Sequence, residues 1–229
     1  RHCSSATMGL LAGCTLTYFP LPGRGEPIRL ALALGGVSYT DDIVQFKDWP
    51  ERKPSTPWGS MPVLTLSDGT SIAQARAIMR FVGKETGLYP TDSLLAARCD
   101  EVMDTLEDIL TGLMNQGSGL PQAEKEAKRL EAIQSGTPFK ILTKLDQYVA
   151  EHGSSGFAVG DSLTIADLMM LCSLCTVTSG MLDGILPTAL DGFANIQKCL
   201  KVVANQPTVK ETFLAKKDTM PKSFMAFYD

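Results

Sequence analysis

The chain has 229 residues, 44% of them hydrophobic and 20% charged, with a formal net charge of −4. That length admits one large domain or two small ones, in a composition ordinary for a globular protein. The acidic balance argues against nucleic acid as a partner, since phosphate binding needs a basic face, and no stretch approaches the ~20 apolar residues of a membrane span.

Residues 1 to about 12 read as the end of a targeting segment or a vector remnant and are left out of the fold reading. CTLTYFP, residues 14–20, alternates and is rich in β-formers, so it predicts a strand. GRGEPIRLALALGG follows as a glycine turn and a helix containing Arg29, Leu30, Ala33 and Leu34, ended by Gly35 and Gly36. VSYTDDIVQF predicts a second strand. KDWPERKPSTPWGS has no clean period and predicts a loop with at most one irregular turn. MPVLTLSDGTSIA reads as a hairpin about a Ser-Asp-Gly turn. QARAIMRFVGKETG then reads as a helix with Ile78, Phe81 and Val82 on one face and Gly87 as its stop.

This β-α-β-loop-β-β-α order is that of a thioredoxin-like domain, assigned to residues 14–88. Such domains carry a cis-proline at the position of Met61-Pro62, a bond that costs only ~1 kcal/mol before proline. It turns the Met61 backbone outward, where an extended peptide can pair with it. After the linker LYPTDS the chain becomes helical, and residues 93–220 form an all-α domain. LLAARCDEVMDTLEDILTGLMNQ carries a helical stripe through Leu95, Val102, Met103, Leu106, Ile109, Leu110 and Leu113. LPQAEKEAKRLEAI and PFKILTKLDQYVAEHG continue as one helix or a pair. GDSLTIADLMMLCSLCTV is a helix opened by a Thr164/Asp167 capping box. NIQKCLKVVANQPTVKETFLA gives two short helices broken at Pro207.

The six cysteines, Cys3, Cys14, Cys99, Cys172, Cys175 and Cys199, are scattered and read as reduced thiols of a cytoplasmic protein. Cys172 and Cys175 form a CxxC inside an apolar run, which fits buried thiols better than a redox or metal pair. His2 and His152 are isolated and read as surface residues.

Tyr18 ends the first strand beside the start of a helix, where free N–H groups and the helix dipole favour an anion. A phenol aimed there can hold a thiolate. A free thiol titrates near ~8.5 and lowering it by ~2 units takes ~2.7 kcal/mol. One hydrogen bond to a charged group supplies ~1.5–3 kcal/mol, so Tyr18 helped by Arg24 is sufficient in magnitude, and the nucleophile is the substrate's own sulfur.

LTYFPLPGRGEPIRL, DWPERK, PWGSMPVL, AQARAIMRFV and LTIADL, in this order, resemble the cytosolic glutathione S-transferases from about residue 15 to 215. The LTYF start is most similar to the sigma class, which includes glutathione-dependent prostaglandin D synthases and lens S-crystallins. The resemblance implies the glutathione transferase fold, an enzyme that needs no cofactor or metal, glutathione as co-substrate, and a homodimer. It implies that Tyr18 activates the thiol and Arg24 tunes it. Trp49 and Lys53 reach the glycine carboxylate, the Met61 backbone before Pro62 pairs with the cysteinyl unit, and Gln74 binds the γ-glutamyl end. Ser60 stands where lysine or glutamine is common. Ala75 departs from the family's serine, leaving a backbone N–H in place of a hydroxyl. Its loss is expected to weaken binding by ~1–2 kcal/mol. Asp104, Glu107 and Asp108 share a helix face that fits solvated acids. The resemblance also implies that Asp108 crosses a dimer interface to the glutathione amino group.

The implied reaction is attack of the thiolate on a small hydrophobic electrophile held between the glutathione site and the helical domain, near Leu21, Pro22, Met114 and Phe227. A prostaglandin-type isomerase, a peroxidase and a non-catalytic crystallin-like relative are the alternatives. A thioredoxin-type oxidoreductase is disfavoured, because PLPGRGEP holds no cysteine.

Overall fold

The structure, a computed structural model, describes residues 9–228. The chain divides into two compact units, Arg1–Thr91 and Asp92–Asp229. His2, Cys3 and most of the segment set aside from the sequence lie outside the described residues. Leu11, inside that segment, is fully buried, so the fold begins earlier than residue 14.

The N-terminal unit is built on a four-stranded sheet in the order β2-β1-β3-β4. Its strands are β1 (Thr15–Tyr18), β2 (Thr40–Ile43), β3 (Val63–Thr65) and β4 (Ser71–Ala73). β1 runs parallel to β2 and antiparallel to β3, and β3 is antiparallel to β4. Of the longer predicted second strand, Thr40–Ile43 pairs with β1 as an edge of the sheet, and within it Asp41 meets Arg29 and Asp42 meets Arg52.

Helix α1 (Glu26–Leu34) crosses from β1 to β2 and ends at Gly35. Phe46–Ser55 is not a loop, as the sequence reading had it. It forms a 3₁₀ turn (Phe46–Asp48), the short helix α2 (Trp49–Arg52) and a second 3₁₀ turn (Lys53–Ser55). Pro50 and Pro54 stand at the start of the latter two, where a missing N–H costs nothing. The Met61-Pro62 bond is cis. Helix α3 (Ala75–Thr86) buries Ile78 and Val82, leaves Phe81 half-buried and ends at Gly87 in the left-handed region.

The second unit is helical: α4 (Ser93–Asn115), α5 (Gln122–Gln134), α6 (Thr137–His152), α7 (Ile165–Val177), α8 (Ala194–Ala204), α9 (Pro207–Ala215) and α10 (Lys222–Met225). α4 starts at Asp92, whose carboxylate accepts from the Leu95 N–H at 2.8 Å. The predicted stripe of α4 is buried from Val102 through Leu113. Gly136 separates α5 from α6: a β-carbon there would meet the Ala132 backbone at 2.8 Å. α7 is apolar on every side and every residue in it is buried, as a helix at the centre of a bundle must be. Cys172 and Cys175 are core thiols within it. His152 is half-buried, its ring 4.3 Å from that of Tyr148 in edge contact, so it is more enclosed than a surface residue.

Candidate functional site

Sheet register brings the predicted site residues to one edge of the N-terminal unit. Thr17 pairs with Val63, and Val63 pairs with Ala73. The C-terminal end of β1 (Tyr18), the residues entering β3 (Ser60, Met61, Pro62) and those leaving β4 (Gln74, Ala75) therefore lie side by side. Ile43 of β2 pairs with Tyr18, which delivers the Phe46–Ser55 turns, with Trp49 and Lys53, to the same edge.

The Tyr18 side chain is 6% exposed. Its phenol oxygen accepts the backbone N–H of Arg24 at 3.0 Å. Glycines shape the turn around it. A β-carbon at Gly25 would lie 2.4 Å from the Tyr18 ring, and one at Gly23 would lie 2.7 Å from its hydroxyl. Arg24 thus meets Tyr18 through its main chain.

Beneath the ring is an ionic group that the sequence reading missed. The Arg29 guanidinium carbon lies 5.8 Å from the Tyr18 ring centroid. Arg29 is 4% exposed and pairs with Glu26 at 3.0 Å and Asp41 at 2.8 Å. It also donates to the Leu21 carbonyl at 3.3 Å, bracing the turn. Burial and the negative charge of Asp41 together push the nearby Tyr39 hydroxyl up to about 12. The signal was present in PIRLALAL, where one arginine in an apolar run demands buried partners.

Phe19 was missed as well. It stacks on Phe46 at 4.9 Å and meets Trp49 edge-on at 5.5 Å, so a row of rings runs from Tyr18 to α2. Trp49 is half-buried and Lys53 exposed. The Lys53 stem passes over Gly59, within 3.5 Å of where a β-carbon would stand, next to Ser60. Ser60 is exposed, Met61 half-buried and Pro62 buried.

Gln74 is exposed and holds a left-handed backbone, φ 74°. Its side chain does not cap α3, and Ala75 opens that helix. The N–H groups of its first turn form an anion-favouring end. Asp108 is the exception among the nominated residues. It belongs to α4 of the helical unit, where it is exposed beside Glu101 and Tyr148 in a groove between α4 and α6. Of the acids near it, Glu107 accepts from Thr111 at 2.9 Å. Among the described residues no group of three His, Cys, Asp or Glu side chains is arranged to hold a metal ion.

Comparison with known proteins gives this geometry its family. The model for the glutathione S-transferase N-terminal domain matches residues 14–84, and that for the C-terminal domain matches residues 103–217. Glutathione S-transferase 1 of Ascaris suum is 32% identical over 209 residues, spanning 90% of this chain and 97% of its own. The solved prostaglandin synthase D of Nilaparvata lugens superposes with a TM-score of 0.78 at 26% identity, over 90% of this chain and 98% of that one. A glutathione S-transferase from the hookworm Necator americanus, described as monomeric, superposes with a TM-score of 0.73 at 28% identity, over 90% and 98%. Each family model falls within one of the two compact units, so the chain belongs to the glutathione S-transferase family.

Proposed function

We propose that this enzyme binds glutathione along the shared sheet edge and holds its sulfur as a thiolate with the Tyr18 hydroxyl, for attack on small hydrophobic electrophiles. Like other glutathione S-transferases, it uses glutathione as co-substrate and needs no cofactor. The observation that carries the mechanism is the 3.0 Å hydrogen bond from the Arg24 N–H to the Tyr18 oxygen. A phenol that accepts from a backbone amide is a stronger donor of its own proton. Once the glutathione thiol has lost its proton to solvent, the Tyr18 O–H donates a hydrogen bond to the cysteinyl sulfur and stabilises it as an anion.

In this reading Trp49 and Lys53 take the glycine carboxylate. The Met61 main chain before Pro62 pairs with the cysteinyl unit as an added strand, with Ser60 alongside. Gln74 and the Ala75 N–H take the γ-glutamyl carboxylate, and Asp108 is supplied by a second subunit. The helical unit supplies the electrophile pocket, with Met114 and Phe227 as its nominated lining residues. The LTYF opening supports the sigma class, the scattered free cysteines support a cytoplasmic location, and detoxification is the role that goes with the proposed transferase reaction. The similarity to a prostaglandin synthase favours glutathione-dependent isomerisation as the second reading. The exposed rings of Trp58 (73%) and Phe46 (60%) are apolar surface of the kind a subunit contact covers.

The test compares the natural chain with Tyr18→Phe on a glutathione column, by thiolate absorbance of the bound ligand and by turnover of 1-chloro-2,4-dinitrobenzene. Both proteins are expected to fold and bind. The variant loses the thiolate signal at neutral pH, in line with a thiol pKa returning up by ~2 units, and turnover falls by about 100-fold. A variant with full thiolate and turnover overturns the role of Tyr18.

A further inference from the structure

Ser55 ends the second 3₁₀ turn of the segment that carries Trp49 and Lys53. It is exposed, and its hydroxyl donates to the Arg52 carbonyl at 2.7 Å. That bond is local and at the surface, where water replaces it at little cost.

The residues around this hydroxyl form a charge pattern. Arg52 and Lys53 stand three and two residues ahead of Ser55, and both are exposed. Pro54 directly precedes it, and Thr56 after it has extended backbone ahead of Pro57. An exposed hydroxyl behind two cations, followed by extended chain, is the pattern an acidic kinase cleft selects by charge.

The fold places this hydroxyl beside the glutathione edge. The Thr56 N–H and hydroxyl both donate to the Lys53 carbonyl, at 3.2 and 2.8 Å, and the Gly59 N–H donates to the Thr56 carbonyl at 3.3 Å. These turns bring Gly59, and with it Ser60, back under the Lys53 stem. Ser55 and Lys53 are two residues apart, at most ~7 Å along the backbone. That is inside the ~8 Å over which exposed charges still interact at physiological salt. A phosphate on Ser55 would carry a charge of about −1.5 to −2 and three acceptor oxygens.

We infer that Ser55 is the acceptor for a serine kinase that reads basic residues, and that its phosphate closes the glycine end of the glutathione site. In the modification, Ser55 Oγ forms a bond to the γ-phosphorus of ATP and the bond from that phosphorus to the bridging oxygen breaks. ADP leaves, and the hydroxyl proton passes to the kinase's carboxylate base. The phosphate then pairs with Lys53 and repels the glycine carboxylate. The modification is independent of glutathione, and its effect rests on the proposed place of Lys53 in the site.

The experiment incubates the folded, full chain with ATP and the catalytic subunit of cyclic-AMP-dependent protein kinase. A single phosphate is expected, located on Ser55 by tandem mass spectrometry and absent from Ser55→Ala. The phosphorylated chain should show a KM for glutathione raised at least about tenfold, the loss of one bond to a charged group, with kcat unchanged. Phosphatase treatment should restore the natural KM, and Ser55→Ala taken through the same steps should keep it. The inference is overturned if the folded chain takes no phosphate at Ser55, or if the phosphorylated chain keeps the natural KM. Unphosphorylated Lys53→Gln assigns the second failure. A natural KM in that variant as well means that the glycine carboxylate lies away from Lys53, whereas a raised KM in Lys53→Gln alone rejects the switch.

Discussion

Ala75 is where this chain parts from the serine that its family resemblance leads one to expect. It begins α3 and is 7% exposed, and the preceding Gln74 does not cap the helix with its side chain. In the proposed site a carboxylate at this end meets Gln74 and backbone N–H groups, with no hydroxyl from the first residue of the helix. Restoring a hydroxyl adds one hydrogen bond to a charged group, worth ~1–2 kcal/mol. Ala75→Ser is therefore expected to tighten glutathione binding by about 5–30-fold in isothermal titration. Unchanged affinity would mean that the γ-glutamyl carboxylate is held elsewhere. The substitution was legible in the sequence, but the backbone beside it was not. A left-handed φ is usually flagged by Gly or Asn, and Gln74 is neither. Nor did LTYFP disclose that Phe19 would bridge Tyr18 to Trp49, since strand alternation fixes the face of a side chain and not its neighbours.

The start of α7 shows what a single element can conceal. Thr164 and Asp167 form the capping box that their spacing predicts. Asp167 does more: it accepts from the Ala158 N–H at 2.6 Å, the Thr164 N–H at 2.7 Å and the Thr164 hydroxyl at 2.9 Å, and from the Cys199 thiol at 3.6 Å. Burial pushes its carboxyl up to about 6, against the pull of those donors. Burial and the Asp167 charge in turn push the Cys199 thiol up, so it stays a donor. Asp167→Asn turns an amide N–H toward these donors and is expected to cost about 2–5 kcal/mol in denaturant unfolding. The folded chain holds the Asp167 proton more tightly than the unfolded chain does. The stability contributed by that proton is thus complete below the ordinary carboxylate range and is lost as pH rises through about 6. The advantage of the natural chain over the non-titrating variant should shrink across that interval. An advantage that grows would mean the donors outweigh burial. The capping box was readable because it is local. Ala158 and Cys199 join only through the tertiary fold. The helical turns over Phe46–Ser55 escaped the sequence reading for a related reason. Pro50 and Pro54 look like breakers until their position at the start of a turn is known.

At the scale of the molecule, the strand and helix order was readable from periodicity, and the sheet order β2-β1-β3-β4 then placed four of the five motifs, all but LTIADL, at one edge. The division into two units could be read from the change to continuous helical period after LYPTDS. Asp108 does not follow from that logic, because it lies in the helical unit while every other nominated glutathione contact lies in the N-terminal one. Its proposed place in the site depends on a second copy of the chain. This links two measurements that are otherwise independent. Sedimentation should give a particle of about twice the 24.7 kDa chain mass. Asp108→Asn should raise KM for glutathione several-fold and leave kcat unchanged, as expected when binding is lost equally from the ground state and the transition state. An exposed carboxylate serving only as solvated surface would change neither constant. A monomer with an unaltered KM would remove Asp108 from the site and leave Gln74 and the first turn of α3 as the whole of the γ-glutamyl contact.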